Sequence, residues 1–208
     1  PYTTLFRSMV AGMMTATIMS GQITRKTGKY KIFLTTGTGS LLMGYIYMTT
    51  YNADMAFWQV AIGMVLIGFG LGQLMQTLTL VAQQSVKASD IGVATSSATF
   101  FRQMGGTLGV AIFISILFNT LGDTIGKAFK NPSILAGLKE ASTDPTVLAD
   151  PNNRAFLEQM ASGNAGALGE QIKTDSSFLN NLDPRLARPF LVGFAESATQ
   201  VFFWAAIV

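Results

Sequence analysis

The chain has 208 residues, of which 49% are hydrophobic and only 12% charged, against about a quarter charged in an ordinary soluble domain. It contains no cysteine and no histidine, which excludes thiol catalysis, thiolate metal sites and imidazole acid–base or zinc chemistry. The net charge of +3 is not gathered into a basic patch interleaved with aromatics, so no nucleic-acid partner is expected.

Residues 1–8, PYTTLFRS, resemble the translation of a sequencing-adapter oligonucleotide and are set aside as an artefact. The chain is accordingly expected to be truncated upstream, and again at its end inside the apolar run VFFWAAIV. Residues 9–23 are apolar, rich in small side chains, and read as the end of a spanning helix. The stretch TRKTGKYK follows, with Arg25, Lys26, Lys29 and Lys31 in a tight loop at 24–31. Residues 32–50 and 57–84 form a second and a third span, separated by a short loop carrying Asp54. A loop with Lys87 and Asp90 leads into a fourth span, 91–118. No charge lies between Lys31 and Asp54 or between Asp54 and Lys87, and Arg102 stands alone between Asp90 and Asp123. Uncharged apolar stretches of about 20 residues have the length at which a helix crosses a bilayer core. A soluble core helix regains charge on one face every turn or two.

Residues 119–188 are polar, with seven cations and eight acids, and 189–208 begin a fifth span containing Glu196. Within the polar segment Asp144-Pro145, Asp150-Pro151 and Asp183-Pro184 are helix-start signals, Asp at the cap and Pro at the first helical position. NNRAFLEQMA and SILAGLKEA carry apolar residues at helical spacing. The segment is therefore expected to hold several short helices packed as an outer cap. Four cations and no acid in the short loop 24–31 place that loop in the cytoplasm by the positive-inside rule. Counting spans from there puts the loop at Asp54 outside, the loop at Lys87 inside and 119–188 outside the cell.

Four features could carry chemistry. Arg102 lies about ten residues into its span, roughly 15 Å deep at 1.5 Å per residue. A cation there costs about 2.5–3.5 kcal/mol unless it faces protein or a water-filled cavity. With Thr95, Thr99, Gly106 and Gly109 it forms one small, polar face. It is expected to point inward, either to organise a cavity or to make a structural ion pair. Gln73, Gln76, Thr77 and Gln84 make an uncharged polar stripe on the third span, lining a substrate path or bonding neighbouring helices. Glu196 either carries protons or sits at the headgroups, where a carboxylate is cheap. Glycines cluster at Gly68, Gly70, Gly72 and at Gly105, Gly106, Gly109, as close helix packing in lipid favours. No carboxylate pair, no nucleophile with a base and no GxxxxGK[ST] phosphate loop is present. Neither an enzyme nor an ATP-driven pump is expected.

The stretch Gly21-Gln-Ile-Thr-Arg25-Lys26-Thr-Gly28-Lys29-Tyr-Lys31 resembles the degenerate second copy of the major facilitator superfamily loop motif. Gly21, Ile23, Lys26, Gly28 and Lys29 fit, while Arg25 stands where the motif has Asp. The run GFGLGQLMQTLTLVAQQSVKASDIGVATSSATFFRQMGGTLGVAIFISILF is similar to the fourteen-helix drug:proton antiporter branch, through Gly92, Arg102, Gln103, Gly105, Gly106 and Gly109. The long segment before the last helix is similar to that of actinobacterial members. The resemblance implies an all-α membrane protein: about five transmembrane helices of a major-facilitator C-terminal half, plus a mostly helical extracytoplasmic loop. It implies a multi-pass protein of the bacterial cytoplasmic membrane that uses a proton gradient and no cofactor. Its partners would be small lipophilic substrates, membrane lipids and the N-terminal half of the same chain. The implied activity is proton-coupled export of lipophilic or cationic drugs. The alternatives are export of an endogenous lipid, siderophore or metabolite, and a non-transporting membrane subunit acting through its outer loop.

Overall fold

Three helices follow one another through the first part of the chain: α1 (Tyr2–Thr27), α2 (Lys31–Met48) and α3 (Phe57–Gln84). They belong to a computed structural model that describes residues 2–161 and 177–207. After a 3-10 turn at Ala88–Asp90 comes α4 (Ile91–Lys130), then α5 (Pro132–Thr143), α6 (Pro145–Ala149) and α7 (Pro151–Ala161). A second 3-10 turn, Ser177–Asn181, precedes α8 (Pro184–Ile207). Among the described residues every element is helical. The chain divides into two units, one made of the residues up to Ile114 with those from Thr199, the other of Ser115–Ala198.

In the first unit α3 is central and packs on both α1 and α2. Its glycines set the approach. Gly68 and Gly72, one turn apart, meet the carbonyl oxygens of Met9 and Met13, and Gly12 of α1 meets the Val65 carbonyl so closely that no Cβ would fit. On another face Gly70 lies against the Gly37 carbonyl and Leu41 of α2. With the backbones this near, hydroxyls bond across the helices: Thr17 donates to the Gly72 carbonyl at 3.2 Å and Ser40 to the Leu66 carbonyl at 2.9 Å. Met48, Val60 and Ile67 are buried, with Leu5, Leu41 and Phe202 packed around them. The Thr199 hydroxyl donates to the Tyr51 carbonyl at 3.0 Å.

The outer surface of these helices is apolar. Met43, Trp58, Val93, Phe101 and Leu108 are each at least 60% exposed, the inverse of a soluble protein and the pattern of an all-α membrane protein. Three helical stretches, Phe57–Gln84, Ala88–Lys130 and Pro184–Ile207, are long and apolar enough to cross a membrane. α1 and α2 are less apolar, because charged residues, tyrosine, threonine, serine and glycine are mixed with their apolar side chains.

The second unit has its own core. Leu121 and Ala128 of α4 are buried with Ile134, Leu138 and Ala141 of α5, Val147 of α6, Phe156 of α7 and Leu186 and Phe190 of α8. Phe190 makes edge-to-face contacts with Phe129 and Phe156, at centroid distances of 5.5 and 5.7 Å. α4 thus continues twelve residues beyond the span expected to end at residue 118. Its continuation is amphipathic rather than apolar. All three Asp-Pro pairs start helices as expected, the Asp side chain accepting from the backbone N–H two residues on, at 3.0 Å for Asp144, 2.8 Å for Asp150 and 2.9 Å for Asp183. Asn131-Pro132 does the same at 3.1 Å. α8 begins at Pro184 rather than near 189. Pro189 lies inside it, fully buried, and its missing N–H frees the Arg185 carbonyl from the helical ladder.

Candidate functional site

The cationic loop is a tight turn held by one glycine. α1 ends at Thr27, and Gly28 takes the left-handed conformation, φ 68°, while its N–H closes on the Thr24 carbonyl at 2.8 Å. A glycine cap of this kind terminates a helix without a Cβ clash. Arg25 and Lys26 occupy the last turn of α1, where the carbonyl end of the helix dipole favours cations. Lys29 and Lys31 have no such support, because they flank the N-terminal end of α2. Arg25, Lys26, Lys29 and Lys31 are all exposed. They form no ion pair among the described residues.

Two adjoining cavities open between the end of α1 and α3. One, of about 540 Å³, is lined by Ile18, Gln22, Arg25 and Lys26 with Gln76. The other, of about 500 Å³, is lined by Thr24, Arg25, Gly28, Thr77, Leu80 and Gln84. Gly21, Arg25 and Gln76 border both. The absence of a side chain at Gly21 leaves the Gln76 amide 3.6 Å from where a Cβ would stand. The structure therefore brings the loop motif and the polar stripe of α3 to one groove. Sequence spacing alone showed no link between them.

The stripe itself divides. Gln73 is 4% exposed and its Oε1 accepts a 2.6 Å hydrogen bond from the Thr36 hydroxyl, so it ties α3 to α2 and lines neither cavity. Gln76 and Gln84 are exposed to the groove. Thr77 is 2% exposed, and among the described residues its hydroxyl makes no hydrogen bond.

Arg102 does not line this groove. It is exposed on α4, with no hydrogen bond or ion pair among the described residues. Around Gly105, Gly106 and Gly109 no neighbouring group among the described residues lies within 4 Å of where a Cβ would be. Only 6% of the most apolar stretch of α4 is buried. At the start of the expected inward face, Thr95, Thr99, Arg102, Gly106 and Gly109, the Gln83 amide of α3 donates to the Thr95 hydroxyl at 3.2 Å. Glu196 is likewise exposed on α8, at the edge of the face that carries Gly193 and Ser197. Those two are buried, Gly193 against Ile125 and Ser197 in a 2.7 Å hydrogen bond with Thr124.

One charged cluster went unread in the sequence. In the second unit the Arg185 guanidinium donates to Asp183 at 3.0 Å and to Asp144 at 2.9 Å, with Glu140 at 3.6 Å. Hydrogen bonds from Thr146 and from Arg185 hold the Asp144 carboxyl down at about 2, and Arg185 lowers that of Asp183 too. The signal was present: Asp144 and Asp183 are both cap residues, and Arg185 directly follows the second Asp-Pro pair.

The chain is similar over 95% of its length, at 26% identity, to a tetracycline resistance determinant of Streptomyces rimosus, of which it covers 55%. It is 28% identical over 96% of its length to an uncharacterised MFS-type transporter of Mycobacterium tuberculosis, of which it covers 24%. It is 35% identical over 55% of its length to the multidrug transporter protein MdtP of Bacillus subtilis, of which it covers 21%. No family model and no solved structure matches. The chain spans about half the length, or less, of these curated relatives. With its helices and its apolar surface, the chain is thus similar to membrane transporters, several of them named as of the MFS type.

Proposed function

We propose that the whole protein is a proton-coupled exporter of lipophilic, cationic compounds across the bacterial cytoplasmic membrane. The observation that carries this reading is the match over nearly the whole chain to a protein named for tetracycline resistance, joined by one named as a multidrug transporter. The structure supports it through α4, whose face of Arg102, Gly105 and Gly106 is left unpacked among the described residues. In an alternating-access transporter such a face borders the central cavity between the two halves. Arg102 sets the electrostatics of that cavity, and Glu196 exchanges protons.

All five long helices span the bilayer in this reading, with loop 24–31 in the cytoplasm and 119–188 outside. Most threonines of α1 and α2 spend their hydroxyls on carbonyls one turn back, as Thr15 does on Ala11 and Thr38 on Leu34. A hydroxyl already bonded in this way costs less to bury in lipid than its hydropathy alone implies.

The test is the full-length protein in proteoliposomes. Adding lipophilic cationic dyes should drive proton movement that a protonophore abolishes, and Arg102→Ala should reduce it. Absence of dye-driven proton flux across a broad panel overturns the proposal. Sidedness is checked independently, because the chain has no cysteine. A membrane-impermeant thiol reagent should label Lys29→Cys from the cytoplasm only and Ser142→Cys from outside only.

A further inference from the structure

The groove beside Arg25 has the chemistry of a lipid headgroup site, a role distinct from substrate transport. Its two cavities are lined by Arg25 and Lys26 and by no acid. Neither cation has an ion-pair partner among the described residues. Thr77 borders the second cavity, and its hydroxyl makes no hydrogen bond among the described residues. A hydroxyl open to the groove is free to donate to a ligand that enters it.

One face of α1 gives that partner its shape. Met14, Ile18, Gln22 and Lys26 succeed one another at four-residue intervals, hence along one line of the helix. Met14 and Ile18 are 58% and 57% exposed, and Gln22 and Lys26 are exposed at the loop end. The line grades from apolar, to neutral donor, to cation over about 18 Å. A free phosphate would use only the last step of it. A phospholipid uses all of it, with acyl chain along Met14 and Ile18 and phosphate at Gln22, Arg25 and Lys26.

We propose that this groove seats the phosphodiester of an anionic phospholipid, charge-paired with Arg25 and Lys26 and hydrogen-bonded by Gln76 and Thr77. The inference rests on the membrane reading of α1 and α3 and not on the transport cycle, so it survives or fails apart from the proposed function.

The experiment titrates the detergent-solubilised chain with short-chain phosphatidylglycerol, phosphatidylcholine and inorganic phosphate in parallel. Binding is read by native mass spectrometry, and helix content by circular dichroism. Phosphatidylglycerol should bind in preference to phosphatidylcholine, and millimolar phosphate should not displace it. A cation near an anionic lipid surface is worth about fivefold in affinity, so Arg25→Gln with Lys26→Gln should weaken binding roughly twentyfold. Lys29→Gln with Lys31→Gln, which leaves the groove intact, should cost clearly less. Thr77→Val, a near-isosteric change inside a helix, should weaken binding with helicity unchanged, and it decides the matter if the double variant fails to fold. Equal binding of the two lipids overturns the proposal. Displacement by phosphate alone overturns the lipid assignment. Equal losses from the two double variants, or no loss from Thr77→Val, overturn the groove.

Discussion

Gly28 and Gly68 show how differently two glycines of one motif-rich chain are constrained. Gly28 has open space around it, and its constraint is conformational: φ 68° is costly for any residue with a Cβ. Gly28→Ala should destabilise the α1–α2 turn by about 1–2 kcal/mol, read as a lower midpoint in thermal unfolding. Gly68 is an ordinary helical residue, and its constraint is the Met9 carbonyl of α1. Gly68→Leu should separate α1 from α3 and cost about 1–3 kcal/mol or more through overpacking. Gly105 supplies the contrast, since among the described residues nothing meets a Cβ there. Gly105→Ala should stabilise the isolated chain by up to about 1 kcal/mol through helix propensity. If the α4 face packs against the rest of the transporter, Gly105→Leu should leave the isolated chain stable and impair the full-length protein. A full-length Gly105→Leu protein with normal transport would remove that face from the cavity.

At the level of elements the four X-Pro starts organise the second unit, and each is testable. Asp150 caps α7 through a 2.8 Å bond to the Asn152 N–H, so Asp150→Ala should lower the stability of this unit by about 0.5–2 kcal/mol. Guanidinium unfolding followed by hydrogen exchange in α7 would measure it. These starts were legible because Asp and Pro act locally: the cap bond spans two residues and needs no tertiary partner. The long apolar helices were legible for the related reason that a run without charge has its meaning in lipid whatever it packs against. The far end of α4 was not. Asp123, Lys127 and Lys130 mark where the apolar composition stops, but the helical spacing of Phe118, Leu121, Ile125 and Ala128 continues beneath those charges. Composition and periodicity part company there, and the membrane-length argument follows only the first. The groove at Arg25 was half legible: its residues were named from two separate patterns, while their meeting depends on how Gly68 and Gly72 let α1 settle on α3. Gln73 illustrates the limit from the other side. It has the same residue type and helical phase as its stripe, yet it faces Thr36 and closes a helix contact.

Across the whole molecule, ionisable groups are divided unequally between the two units, and acid should therefore act on one and spare the other. The first unit holds two acids, Asp54 and Asp90, and its cohesion rests on glycine packing and hydroxyl–carbonyl bonds that do not titrate. The second is clasped by carboxylates, with Arg185 drawing Asp183, Asp144 and Glu140 to one point. Asp144 is held down at about 2, below the ordinary value near 3.9, and Asp183 is lowered in the same direction. A carboxyl depressed in the folded state contributes stability that is fully present above its unfolded value and is lost as pH falls through its folded value. The clasp should thus be intact from neutrality down to about pH 4 and open between about pH 4 and pH 2. Pepsin is active across that window, and its cleavage within residues 144–161 reads the opening directly. Cleavage should be slow at pH 4 and accelerate towards pH 2, while α1 to α3 remain protected at both. Arg185→Gln removes the leading cause of the depression at Asp183 and, after Thr146, the next at Asp144, so its cleavage should accelerate at higher pH than that of the unsubstituted protein. Equal pH profiles for the two proteins would mean that the hydrophobic core around Phe190, and not the clasp, holds the unit together.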